Sequence, residues 1–94
     1  MLDTEKPLIW IRSSYKDLVI LPVEVKRGFG YALSLAQSGL RHLSTTILQG
    51  FGGSGVIEII ENNQSGTYRA VYTVNYVQAI FLYYIVFKKR VKRE

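Results

Sequence analysis

Residues 50–93 read GFGGSGVIEIIENNQSGTYRAVYTVNYVQAIFLYYIVFKKRVKR, and the periodicity of this stretch decides the fold. Val56 to Glu61 is rich in β-branched residues, as a half-buried strand should be. Asn62-Asn63-Gln64-Ser65-Gly66 is a run of turn formers short enough to close a hairpin. Thr67 to Val74 returns as TYRAVYTV, where alternation puts Tyr68, Ala70, Tyr72 and Val74 on one face and Arg69, Val71 and Thr73 on the other. After a break at Asn75-Tyr76, Val77 to Phe87 is apolar on both faces apart from Gln78. Such a segment predicts a strand in the middle of a sheet or beneath a covering layer. Five of the six residues from Lys88 to Arg93 are Lys or Arg, so an apolar strand runs straight into a cationic cluster.

Outward from this stretch, Leu8-Ile9-Trp10-Ile11 follows Pro7 and predicts a short edge strand. Ser13 and Ser14 are both plausible N-caps, Ser14 with Asp17 three residues later is a near capping box, and a helix is predicted over 15–21, stopped near Pro22. Pro22 suits the first turn of a second helix, in which Val25, Phe29, Ala32, Leu33 and Ala36 keep helical spacing until Ser38-Gly39. Gly28 and Gly30 weaken that helix and point to close packing against the first one. Leu40 to Gln49 reads as a loop. The predicted order is β-α-α-β-β-β, an α+β fold with two N-terminal helices packed on a small antiparallel sheet, in a single domain over residues 1–94.

Composition narrows the function. No cysteine is present, which excludes disulfide frameworks, thiolate zinc sites and cysteine catalysis. The formal net charge is +5, and five of the twelve cations fall within the last seven residues. That distribution suits nucleic acid, an acidic protein partner or an anionic surface. The longest apolar run, Ala79 to Phe87, is nine residues, about half of a membrane span, so no membrane role is expected. Asp3 and Glu5 precede Trp10 with no apolar segment between, unlike a secretory signal, and a cytoplasmic location is expected.

Several features invite a chemical reading. The glycines of GFGGSG lack the phosphate-loop pattern and precede a strand, so a tight entry into that strand explains them better. His42 is the single histidine and lies in a polar loop, where it reads as a surface residue. Neither it nor the scattered carboxylates gives metal-ligand spacing, and no metal or other cofactor is expected. Arg69 projects from mid-strand. Its guanidinium either pairs with Glu58 across the hairpin or serves as a fixed cation for phosphate, and the pattern leaves both readings open. Tyr68 and Tyr72 share a face, beneath the helices or available for stacking on bases.

Five ordered segments carry a resemblance to a known family: KPLIWIRSSYKDL (6–18), LPVEVKRGFGYALSLAQSG (21–39), GFGGSGVIEI (50–59), TYRAVY (67–72) and FKKRVK (87–92). Together they resemble the HigB-like, phage-derived branch of the RelE/ParE toxin superfamily, from about Lys6 to Lys92. The resemblance implies a toxin of a type II toxin–antitoxin system with a helix-turn-helix antitoxin as partner. It also implies ribosome-dependent, metal-free cleavage of mRNA, in which fixed cations stabilise the developing phosphoryl charge. Carried over by motif, Arg69 faces the transition-state phosphate, and Lys89 and Arg90 contact phosphate or the leaving group. Lys88, Lys92 and Arg93 bind nucleic acid, and Tyr72 stacks on a base. Thr46-Ile47-Leu48-Gln49 stands where relatives carry basic residues, and Ile85 where they often carry histidine. These departures point to the alternative, a non-catalytic interaction module that poisons a topoisomerase in the ParE manner or only binds its antitoxin.

Overall fold

The computed structural model describes residues 5–48 and 55–89. In chain order its elements are β1 (Leu8–Trp10), α1 (Ser14–Val19), α2 (Val23–Gln37), β2 (Thr45–Ile47), β3 (Val56–Asn63), β4 (Gly66–Thr73) and β5 (Ile80–Lys89). The strands form one five-stranded sheet in the order β1-β5-β4-β3-β2. The chain is thus α+β with two helices preceding the meander, as its patterning predicts.

Two features correct the sequence expectation. The sheet is mixed, because β1 runs parallel to β5 with Leu8 opposite Ile80 and Trp10 opposite Leu82. Its edge position is as expected. There is also an additional strand, β2, inside the segment read as a loop. Thr45, Thr46 and Ile47 pair with Ile59, Glu58 and Ile57. Three residues are too few to show a period, and the pairing comes from the neighbouring strand, not from local preference.

α2 forms where the apolar stripe demands it. Pro22 immediately precedes it, and the Lys26 N–H donates to the Pro22 carbonyl at 2.9 Å. Its end is set by Gly39, whose φ of 81° is the left-handed conformation glycine adopts without a side-chain clash. There the Leu40 N–H reaches back to the Leu35 carbonyl at 2.8 Å, closing a Schellman-type cap. α1 is six residues, too short to hold itself together, and depends on packing. The expected Ser14 capping box is absent. Ser14 is instead buried, while the Ser13 hydroxyl donates to the Asp17 carboxylate at 3.0 Å.

The stripe of α2 packs onto one face of the sheet. Val25, Phe29, Ala32, Leu33 and Ala36 meet Ile57 and Ile59 of β3, Tyr68, Ala70 and Tyr72 of β4, and Ile80 and Leu82 of β5. Each large side chain so buried contributes about 1.5–3 kcal/mol of transfer free energy. Gly28 has the close approach expected of it, but to another partner. A side chain there would run into the Glu61 carboxylate of β3, whereas the space beside Gly30 is open. Among the described residues no helix is long and apolar enough to cross a membrane.

Candidate functional site

Because strand side chains alternate, the register fixes which residues share a face. On the face turned to α2, the row Ile57–Tyr72–Leu82 is followed by Ile59–Ala70–Ile85, then Glu61–Tyr68–Phe87, then Asn63–Gly66–Lys89. On the opposite, open face the rows are Glu58–Val71–Tyr84, Ile60–Arg69–Val86 and Asn62–Thr67–Lys88. Both alternations begin in TYRAVY.

Arg69 sits near the middle of the open face. Its Nη1 donates to Glu58 Oε1 at 3.1 Å across the diagonal of the β3–β4 pair. The side chain remains 45% exposed, whereas that of Glu58 is 17% exposed. The carboxylate is therefore the sheltered anchor and the guanidinium the half-free group. With five N–H donors, arginine retains several for a second partner while one is engaged. The two readings of Arg69 left open by the sequence are compatible, since an ion pair that fixes the guanidinium also aims it.

Lys88 lies diagonally from Arg69 on the same face, since it pairs opposite Thr67 while Arg69 pairs opposite Val86. Diagonal strand neighbours stand roughly 7–8 Å apart. The spacing suits two cations on one phosphodiester segment. Lys89 does not join them. It pairs opposite Gly66 and therefore falls on the helix side, where it lines an open concavity of about 960 Å³ with Ile20, Pro22, Ser65, Tyr68 and Phe87. The expected catalytic grouping of Arg69 with Lys89 is thus divided between the two faces. Arg90, Lys92 and Arg93 lie outside the described residues.

Tyr72 requires a correction. Its ring is fully buried among the α2 side chains, so it has no surface on which a base could stack. Its hydroxyl has no partner among the described residues. Burial pushes the phenol from 10.0 up to about 12, with the charge of Arg41 pulling the other way. Tyr68 also belongs to the core. Its ring stacks on Phe87 with centroids 4.5 Å apart, and its hydroxyl lies 2.7 Å from Ser65 Oγ.

The tyrosines with open-face exposure are others. Between Val71 and Tyr72 the β4–β5 register slips, so Val71 faces Tyr84 while Tyr72 faces Leu82. Tyr83 is the extra residue of this bulge, and consecutive tyrosines that would otherwise point to opposite faces both line one cavity. That cavity, about 520 Å³, is completed by Ile11, Arg12, Val56, Val71, Thr73, Asn75 and Tyr76. Arg12 has φ 52°, an uncommon conformation for a residue with a side chain. Lys6 Nζ donates to the carbonyls of Val74 at 3.3 Å and Tyr76 at 2.9 Å, tying down the loop that carries Asn75 and Tyr76. The sequence signal for the cavity was faint, because a bulge is not visible in a run that is apolar on both faces.

His42 has a structural role. Its Nδ1 accepts from the Ser44 N–H at 3.0 Å, its carbonyl accepts from Thr45 Oγ1 at 2.6 Å, and its ring meets Tyr31 edge-on. These contacts shape the turn into β2. Of the glycine cluster, Gly55 alone is described; its backbone lies so close to Asn75 that a side chain there would collide with it. Among the described residues, no group of three or more His, Asp or Glu gathers as metal ligands would.

Comparison with known proteins gives a family relationship. The family model described as phage-derived protein, Gp49-like, matches residues 16–94. No curated protein and no solved structure matches.

Proposed function

From the premise that the chain belongs to the Gp49-like phage-derived family, within the RelE/HigB-like toxin group, we propose that it is the toxin of a type II toxin–antitoxin pair and cleaves mRNA on the ribosome. Members of this family are often toxins of such systems. The partner that restrains the chain is then a cognate antitoxin, of the helix-turn-helix kind.

The observation that carries the nuclease reading is Arg69, half-exposed on the open face and held by Glu58. In the proposed reaction the 2′-hydroxyl of one nucleotide gives its proton to solvent as its oxygen attacks the adjacent phosphorus. The bond to the 5′-oxygen of the next nucleotide breaks, and that oxygen leaves with a proton. Negative charge builds on the non-bridging oxygens, and a preoriented guanidinium lowers the barrier without having to reorganise. Lys88 adds a second positive charge on the same face. Lys89 has no part in this scheme unless RNA wraps the end of the sheet.

A second reading, a module that only binds its partner, is favoured by the division of Arg69 and Lys89 between faces. Induced expression in a bacterial host, with growth followed and mRNA 5′ ends mapped beside an Arg69→Ala control, separates the two. Growth arrest with new 5′ ends that vanish in the control supports the nuclease. Arrest without cleavage, or no arrest from folded protein, supports the binding module.

A further inference from the structure

A feature of the open face that this scheme leaves unused is the cavity beside the β4–β5 bulge. We propose that it is a subsite for a single unstacked RNA base, next to the phosphate that Arg69 holds; the inference rests on the nuclease reading. Its position follows from the register. Val71 lies two residues from Arg69 on the same face of β4, and Thr73 two further, and both line the cavity. A strand rises about 3.3 Å per residue, so the cavity begins roughly 7 Å from the guanidinium's row, about one nucleotide away.

Its chemistry suits a flat heterocycle. Tyr76, Tyr83 and Tyr84 form aromatic walls, and Phe81 connects two of them, edge-on to Tyr76 with centroids 5.2 Å apart and tilted against Tyr83 at 6.5 Å. Tyr76 and Tyr84 are 45% and 48% exposed, so neither ring is used up by the core. Aromatic faces of this kind hold bases by stacking, whatever the sequence. Polar residues are few in the lining. Asn75 and Arg12 are exposed residues of the lining, and Thr73, 6% exposed, is a third polar one. An apolar enclosure with a small set of polar groups is the usual form of a small-molecule site, and the size is within the usual range. An apolar protein side chain would leave the polar groups of Asn75 and Arg12 unanswered, which favours a base.

The test is a titration of the folded full-length chain with the four ribonucleoside 5′-monophosphates, read by amide NMR shifts, with ribose 5-phosphate and inorganic phosphate as controls. Shifts at Val71, Thr73, Asn75, Tyr76, Tyr83 and Tyr84 with at least one nucleotide, absent with both controls, are expected. Tyr84→Ala and Tyr76→Ala, each removing an exposed ring, should weaken that binding about tenfold, while Arg69→Ala leaves the shifts at the cavity in place. Equal shifts with ribose 5-phosphate, shifts confined to the neighbourhood of Arg69 and Lys88, or no shift with any nucleotide would each overturn the subsite. The binding assay involves no cleavage. Loss of nuclease activity with base binding intact overturns the reaction and spares the cavity; cleavage without base binding does the reverse.

Discussion

On the helix side of β4, Tyr68, Ala70 and Tyr72 are at most 5% exposed, while Arg69, one residue along the same strand, keeps nearly half of its side chain in solvent. The two faces have the same backbone, register and twist, and differ only in what alternation delivers to them. One receives a closed apolar set, filled by α2. The other receives Glu58, Arg69 and Lys88, with an aromatic cavity along the strand. The covered face therefore holds the fold and leaves the open face free to carry polar groups that a core would not tolerate. Substitutions on the first should change stability, and substitutions at the exposed positions of the second should change activity.

The division would break most visibly at Phe29, which is fully buried between α2 and the sheet. Phe29→Ala should cost about 3–5 kcal/mol, enough to lower the melting temperature by tens of degrees or to prevent folding of so small a chain. A calorimetric scan checks this, and a drop of only a few degrees would mean that the helix side is not the core.

A smaller effect is expected at Tyr72. Its folded-state phenol is raised to about 12 by burial, so folding favours the neutral form. The corresponding stability is complete below pH 10, because both states are protonated there, and is lost as pH rises from 10 toward about 12. Denaturant midpoints should fall across that window. Tyr72→Phe should flatten this decline and leave neutral-pH stability unchanged or higher by about 1 kcal/mol, since the hydroxyl it removes has no partner among the described residues.

The smallest effect sharpens the contrast within α2. Gly30 faces open space and Gly28 faces the Glu61 carboxylate. Gly30→Ala should stabilise by about 0.5–1 kcal/mol through helix propensity, and Gly28→Ala by less, because Glu61 must move aside. Matched thermal melts decide it; equal gains would show that Glu61 yields without cost.

Much of this was legible in the sequence, for physical reasons that differ from place to place. The stripe Val25–Ala36 and the alternation of TYRAVY are strong periodic signals, and both fell on the elements expected. The Arg69–Glu58 pair was readable too, because hairpin length limits the registers that join two strands. Three features were not. β2 exists through pairing with β3 and carries no period of its own. Tyr72 was expected at a base and lies in the core, because alternation groups it with Tyr68 without saying which face the helices cover. Which of Lys88 and Lys89 shares the face of Arg69 requires the register of β5, which the bulge at Tyr83 shifts by one residue. A run apolar on both faces gives no warning of such a slip.

The most direct test of the two-face account is the cleavage rate of purified chain on ribosome-bound mRNA, compared among Arg69→Ala, Lys88→Ala and Lys89→Ala. The account predicts a loss of about 10²–10³-fold for Arg69→Ala, a clear reduction for Lys88→Ala and near-unchanged cleavage for Lys89→Ala, with all three chains still folded. A loss at Lys89 as large as that at Arg69, with Lys88 indifferent, would contradict it and place the chemistry across the end of the sheet.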